Sequence, residues 1–78
     1  MKDMGKVAIY AGSFDPITYG HVDIVERGLK IFDKVIVAIA NNAEKRSLFT
    51  VEERLEIVKA IFRDTPNVIV DSFKGLLV

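Results

Sequence analysis

The stretch that decides the fold of this 78-residue chain is VAIYAGSFDPITYGH, residues 7–21. Its first five residues are nearly all apolar and rich in strand-forming types, which is typical of a strand covered on both faces. Glycine and proline punctuate residues 12–20, and apolar residues then return at helical spacing with Val22, Val25 and Leu29. The stretch therefore predicts a strand, a glycine-containing loop and the start of a helix.

The predicted helix start at residues 18–21 has the properties of a phosphate site. Unpaired backbone N–H groups and the positive end of the helix dipole favour an anion there. Gly20 removes a side chain where a ligand approaches the backbone. Thr18 and His21 present a hydroxyl and an imidazole from one turn, and His21 is the only histidine in the sequence. Taken singly, Thr18 is equally well explained as an N-cap and His21 as a solvated residue.

Two further strands and two helices complete the predicted fold: strands at residues 35–40 and 68–70, the latter extending towards Ser72, and helices at residues 20–32 and 50–64. Thr50 and Glu53 predict a capping box at the start of the second helix. The order β-α-β-α-β indicates the α/β class, with a parallel sheet and two right-handed crossovers. We expect a Rossmann-like arrangement, one half of a doubly wound sheet.

This topology leaves one face of the sheet without a helix. Two crossovers that step in the same direction place both helices on one face. Residues 35–40 are nevertheless apolar on both faces. We expect the bare face to be covered by another copy of the chain, in at least a homodimer, with strands pairing at or near residues 7–11 about a two-fold axis.

Composition narrows the classes of partner. Lys and Arg total 11 and Asp and Glu total 11, so no broad surface for polyanions is expected and nucleic acid is not a predicted partner. The sequence contains no cysteine, which excludes a thiol nucleophile and a cysteine metal site. No apolar run approaches the length of a membrane span, and the first residues lack a signal-peptide core. We therefore expect one small cytoplasmic domain without a membrane partner.

Residues 11–21 resemble the signature of a nucleotidyltransferase superfamily whose fingerprint is Thr or His, any residue, Gly, His. The preceding Ser-Phe-Asp-Pro-Ile-Thr most resembles the phosphopantetheine adenylyltransferase family. Residues 45–54 and 73–78 resemble that family's second and third conserved segments. The resemblance implies that residues 1–78 are the N-terminal half of such an enzyme, with the second half absent. It implies transfer of the adenylyl group of ATP to 4′-phosphopantetheine, giving dephospho-coenzyme A and pyrophosphate, with Mg²⁺ accompanying ATP.

The resemblance also assigns roles to individual residues. His21 matches the catalytic histidine that donates to the α-phosphate of ATP. The other assigned residues are Ser13 for the acceptor phosphate and ATP, Phe14 for ATP through its backbone N–H, Lys45 for the acceptor phosphate, Leu77 for the pantetheine arm, and Thr18 and Gly20 in supporting positions. No residue is assigned to a metal.

Several of these residues have simpler explanations when they are considered without the family. Ser13 is equally an ordinary turn hydroxyl, and the Phe14 side chain is expected to fill the core. Residues 44–46 have the composition of a solvated loop. Residues 50–54 are assigned to helix capping and surface pairing rather than to chemistry.

Two other functions stay open at this point. Another transferase of the superfamily, such as a nicotinamide mononucleotide adenylyltransferase or a cytidylyltransferase, shares the fingerprint, although such enzymes more often carry His at the position of Thr18. The alternative from a different class is a non-catalytic half-domain that binds phosphate and self-associates. The family's later arginine-rich segment and serine-rich loop, which hold the ATP triphosphate, have no counterpart in these 78 residues, so weak or no transfer by this chain alone is expected.

Overall fold

The computed structural model describes residues 5–41 and 48–74 and confirms the predicted order of elements. The elements are β1 (Val7–Gly12), α1 (Tyr19–Gly28), β2 (Lys34–Asn41), α2 (Val51–Ile61) and β3 (Val68–Lys74). All strand pairs are parallel, in the order β1-β2-β3. The carboxyl ends of β1 and β2 consequently lie side by side at one edge of the sheet.

Both helices pack on the same face of the sheet. The buried core of the described residues consists of Phe14, Val25, Val35, Val37, Ile39, Val58 and Phe62. Val25 of α1 and Val58 of α2 join one cluster with alternate residues of β2. Because side chains alternate between the two faces of a strand, the cluster marks a single covered face.

The opposite face carries no helix among the described residues, as the topology predicts. Ile9, Ile36 and Ile69 are register partners in adjacent strands and form a row across this face, which we call the isoleucine row. Ile9 is 69% exposed and Ile69 is 41% exposed. Full burial of such a side chain contributes roughly 1.5–3 kcal/mol, so this face is favourable for a covering layer.

Both helices end earlier than predicted. α1 ends at Gly28 rather than at residue 32, and the N–H groups of Lys30 and Ile31 donate to carbonyls three residues earlier, at 3.1 and 3.0 Å. α2 ends at Ile61 rather than at residue 64, and the following residues likewise form turns. In each case apolar spacing persists into a tighter final turn, and the pattern alone does not separate that turn from the helix.

The third strand is longer than predicted because of its pairing with β2. It runs to Lys74, in register with Asn41, although its residues after Val70 lack a continuous apolar pattern.

Gly28 lets the end of α1 approach the sheet, since a Cβ there would lie 3.3 Å from Cγ2 of Val35. Within the part of the chain that the structure describes, neither helix has the length and apolar character needed to cross a membrane.

Candidate functional site

Phe14 anchors the loop that follows β1. Its ring is 3% exposed, as expected of a core side chain, and packs edge-on against Tyr10 with the ring centroids 5.2 Å apart. Its φ of 49° lies in the left-handed region, which a bulky residue rarely adopts. A Cβ on Gly12 would lie 3.3 Å from the Phe14 ring, so the glycine makes room for this plug. The buried ring thereby fixes the backbone that leads to α1.

Thr18 and His21 form a capping box at the start of α1. Thr18 is the N-cap, and its hydroxyl oxygen accepts from the backbone N–H of His21 at 3.4 Å. In return, Nδ1 of His21 accepts from the backbone N–H of Thr18 at 2.9 Å. Glu or Gln usually occupies the third helical position of such a box, and here an imidazole performs the same back-bond.

The capping box determines which nitrogen of His21 is available to a ligand. A backbone N–H can only donate, so Nδ1 is the acceptor and a neutral ring carries its proton on Nε2. The ring also packs edge-on against Phe14, with centroids 4.9 Å apart. With Nδ1 engaged and the ring held against Phe14, Nε2–H is left as a donor at the helix start.

The two helix starts differ in their electrostatics. The first turn of α2 contains Glu52 and Glu53, whose carboxylates compensate the positive end of its dipole. The first turn of α1 contains no acidic residue. Among the described residues, a Cβ added at Gly20 would approach just Oγ1 of Thr18, at an ordinary 3.6 Å, so the fold itself does not require glycine there. The start of α1 is thus open in both charge and space to an anion.

Ser13 lies in the same loop as Phe14, at the edge where α1 begins. It is exposed, and its backbone carbonyl accepts from Nη1 of Arg54 at 2.8 Å. The residue is therefore fixed through its backbone while it stays accessible to solvent. Lys45 and Leu77, the two other residues expected at the acceptor side, lie outside the described residues.

Asp15 is a structural residue that the sequence pattern did not identify. Its carboxylate accepts from the backbone N–H groups of Leu48, at 2.7 Å, and Phe49, at 2.9 Å. These contacts join segments 33 and 34 residues apart, so no local motif signals them. Asp15 ties the loop after β1 to the chain segment that precedes α2.

Arg54 was assigned to capping and surface pairing, and that assignment is wrong. The side chain is 5% exposed and donates to backbone carbonyls rather than to a surface carboxylate. A signal for this burial exists in the sequence, because Arg54 follows Val51 by three residues and precedes Val58 by four, on the apolar stripe of α2. The sequence interpretation relied on the charge of Arg54 and disregarded its position on the apolar stripe. Thr50 and Glu53 do form the predicted capping box, with back-bonds of 2.9 and 3.1 Å.

The described residues do not offer a protein-only metal centre. Among them, no group of three or more His, Cys, Asp or Glu side chains is arranged to hold an ion. Asp15, in the loop that precedes α1, already accepts from two backbone amides. No residue of this part of the chain is therefore assigned to Mg²⁺.

Comparison with protein families identifies the chain. The cytidylyltransferase-like family model matches residues 9–78, which is most of the sequence. The chain belongs to the cytidylyltransferase-like family. The match begins within β1 and includes the whole loop, the start of α1 and both later strands.

Curated relatives within this family give a more specific likeness. The chain is 60% identical over 73 residues to a phosphopantetheine adenylyltransferase of Geotalea daltonii, and 59% identical to one of Caldanaerobacter subterraneus subsp. tengcongensis. Each match covers 94% of this chain, but only 45% and 46% of the respective relative. The family member described here thus spans less than half the length of these relatives.

Solved structures of other proteins superpose on the fold of this chain. A crystal structure of NadR protein in complex with NAD and AMP-PNP superposes with a TM-score of 0.83 over 95% of this chain and 22% of that chain, at 21% identity. A bifunctional NMN adenylyltransferase/ADP ribose pyrophosphatase from Francisella tularensis, complexed with AMP and a manganese ion, gives 0.76 over 92% of this chain and 23% of that chain, at 19% identity. At this identity the likeness establishes the Rossmann-like fold and does not choose among substrates.

Proposed function

We propose that this chain is the N-terminal part of a pantetheine-phosphate adenylyltransferase, which transfers the adenylyl group of ATP to 4′-phosphopantetheine in coenzyme A biosynthesis. The proposal is supported by 55–60% identity to curated phosphopantetheine adenylyltransferases over 73 residues. The structural observation that carries it is the capping box of α1. It presents Nε2–H of His21 at a helix start without acidic residues in its first turn.

The proposed chemistry is a direct transfer. A phosphate oxygen of 4′-phosphopantetheine attacks the α-phosphorus of ATP, the bond from that phosphorus to the bridging oxygen of the β-phosphate breaks, and pyrophosphate leaves with the electron pair. Nε2–H of His21 donates to an α-phosphate oxygen as negative charge develops there. The protein supplies alignment and charge stabilisation without a covalent intermediate. Replacing His21 with Ala should lower turnover by a factor on the order of a hundred or more.

The remaining assigned residues complete the proposal. Ser13 and the backbone N–H of Phe14 contact the nucleotide, and Ser13 also contacts the acceptor phosphate. Lys45 holds the acceptor phosphate and Leu77 lines the pantetheine arm; both stay predictions of the sequence. Mg²⁺ is proposed to arrive with ATP, where it neutralises phosphate charge. The groups proposed to contact the ligand are the His21 ring, the Ser13 hydroxyl and backbone amides. These are hydrogen-bond donors, which suit phosphate oxygens rather than a metal.

A comparison of two proteins tests the proposal. Pyrophosphate release is measured with ATP and 4′-phosphopantetheine for this chain and for a version extended by the C-terminal part of a curated relative. Product from the long form and none from the short form supports the enzyme assignment for the longer protein and a binding-module role for the 78 residues. Failure of the long form with 4′-phosphopantetheine, but activity with nicotinamide mononucleotide, would replace the acceptor and keep the reaction type.

We further propose that the 78-residue chain, studied alone, self-associates through the isoleucine row. The row is apolar, and two of its side chains are 69% and 41% exposed. A second copy offers the same row, so a two-fold contact buries both. Roughly 1–2 kcal/mol is expected from each strongly exposed isoleucine that becomes buried.

Ile9→Lys tests this self-association, with Ile31→Lys as the control. Both residues are 69% exposed, but Ile31 lies in the turns after α1 and outside the row. A lysine at position 9 should shift sedimentation of the chain towards the monomer, because its charge would have to be buried in the contact. The control should sediment like the unmodified chain. A folded, monomeric unmodified chain at micromolar concentration would refute the self-association.

A further inference from the structure

Two loops are held together by the side chain of Asp15. The first loop, residues 13–18, leads to His21, and the second loop, residues 48–50, directly precedes α2. Asp15 reaches from the first loop and accepts from two consecutive amides of the second, at 2.7 and 2.9 Å. Because the acceptor is ionised, these bonds are stronger than neutral ones. Each carboxylate oxygen takes one amide, so the relative direction of the two backbones is fixed as well as their distance.

Arg54 joins the same two loops through a second set of hydrogen bonds. Its Nη1 donates to the carbonyls of Ser13, at 2.8 Å, and Ala40, at 3.2 Å. Its Nε lies 3.2 and 3.4 Å from the carbonyls of Phe49 and Thr50. One guanidinium therefore contacts the first loop, the end of β2 and the second loop. Its planar fork constrains the directions of these bonds.

The burial of this cation is not explained by packing alone. Arg54 occupies a position on the buried stripe of α2 where an apolar side chain would suffice to cover the sheet. Within residues 5–41 and 48–74 the structure shows no carboxylate paired with it; the ion pair found there joins Asp23 and Arg27. The cation is instead satisfied by backbone carbonyls of three segments, at Ser13, at Ala40 and at residues 49 and 50. A residue that only filled space would need none of these bonds.

We propose that Asp15 and Arg54 are positioning residues, which together set the geometry between the first loop, which leads to His21, and the second loop, residues 48–50. Arg54 holds the carbonyl of Ser13, next to the amide of Phe14, while Asp15 holds the second loop against the same turn. Neither residue touches the reacting atoms. The inference rests on the proposed function for the identity of the ligand, but its structural part is tested without any ligand.

Amide hydrogen exchange, followed by NMR on the 78-residue chain, tests the structural part. Asp15→Asn removes the charge and one acceptor, so the amides of Leu48 and Phe49 should exchange about tenfold faster or more, given the strength of bonds to a charged acceptor. Amides of the central strand, such as Val37, should keep their protection. Unchanged exchange at both Leu48 and Phe49 in a folded Asp15→Asn variant would overturn the interlock, whether or not the chain binds nucleotide.

Titration with ATP tests the positioning role. Arg54→Lys keeps the charge but replaces the fork by a single point donor, and Arg63→Lys is the control at an exposed arginine in the turn after α2. Affinity is measured by chemical-shift titration where circular dichroism shows each variant folded, so that loss of stability alone does not lower it. We expect the dissociation constant for ATP to be about tenfold higher for Arg54→Lys and for Asp15→Asn, and unchanged for the control.

The outcomes separate this inference from the proposed function. Affinities within about twofold of the unmodified chain in both folded variants would overturn the positioning role while leaving nucleotide binding intact. An unmodified chain whose Ser13, Phe14 and His21 amides do not shift with ATP would count against the proposed function, and the exchange data would still decide the interlock. In the long form, a raised KM with a smaller change in kcat on Arg54→Lys supports a role in binding geometry.

Discussion

His21→Glu should separate the structural role of His21 from its proposed chemical role. The glutamate creates at α1 the ordinary Thr-x-x-Glu capping box that the chain already uses at α2, where Thr50 and Glu53 exchange bonds of 2.9 and 3.1 Å. The back-bond to the N–H of Thr18 is therefore retained. A carboxylate in the first turn also gains about 0.3–1 kcal/mol from the helix dipole.

The cost of the substitution is the ring contact with Phe14. An edge-on aromatic pair such as this one, with centroids 4.9 Å apart, contributes roughly 0.5–1.5 kcal/mol. The net change in the free energy of unfolding is then within about 1 kcal/mol of zero. His21→Ala loses both the ring contact and the back-bond, and it should be destabilising by about 1–3 kcal/mol.

The ATP affinities of the two variants should rank in the opposite order to their stabilities. His21→Glu places a negative charge where a phosphate is expected and removes Nε2–H, so ATP binding should fall below that of His21→Ala. Loss of one hydrogen bond to a charged group corresponds to roughly a ten- to hundredfold weaker affinity.

Urea unfolding followed by circular dichroism, together with ATP titration, measures the two quantities on the same samples. If the same samples are unfolded by heat, a change of 1 kcal/mol in a domain of this size corresponds to roughly 4–8 °C in Tm. Equal destabilisation by Glu and Ala would show that the ring, and not the cap, is what the fold uses. Undiminished ATP affinity in His21→Glu would refute the phosphate site at α1.

Two further changes probe the site and the core. Gly20→Ala should stabilise the chain by about 0.5 kcal/mol, because alanine is the better helix former and its methyl meets an ordinary contact at 3.6 Å. The same variant should bind ATP more weakly. A variant that is stabilised and binds ATP normally would show that no ligand approaches this position. Val58→Ala should destabilise by about 2–3 kcal/mol, read as a lower urea midpoint, because the side chain is fully buried between α2 and the sheet; a loss below about 0.5 kcal/mol would mean that the core cluster collapses onto the cavity.

The parts of the fold that the sequence predicted are those encoded by local patterns. Apolar runs located all three strands, and the Thr50–Glu53 spacing located the start of α2. The bare face followed from the handedness of the crossovers combined with the two-sided apolar character of residues 35–40. The N-cap position of Thr18 is likewise local and was one of its predicted explanations, whereas its reciprocal bonding with His21 was not predicted.

The parts that escaped prediction depend on segments distant in the chain. Asp15 meets its amide partners across 33 and 34 residues, and Arg54 meets the carbonyl of Ser13 across 41. No periodicity encodes such meetings, and an arginine is surface-exposed in most proteins. The helix ends were missed for a different reason: the last turn of each helix keeps the apolar spacing while its hydrogen bonds tighten.

The contrast between the two helix starts shows why a capping motif alone does not make a ligand site. Both starts carry a threonine N-cap and a back-bond from the third helical position. At α2 that position and the one before it are glutamates, which neutralise the dipole and repel phosphate. At α1 they are Gly20 and His21, which leave space and add a donor. The same backbone geometry is therefore unfavourable to an anion at one helix start and favourable at the other, and the difference lies at two sequence positions rather than in the fold.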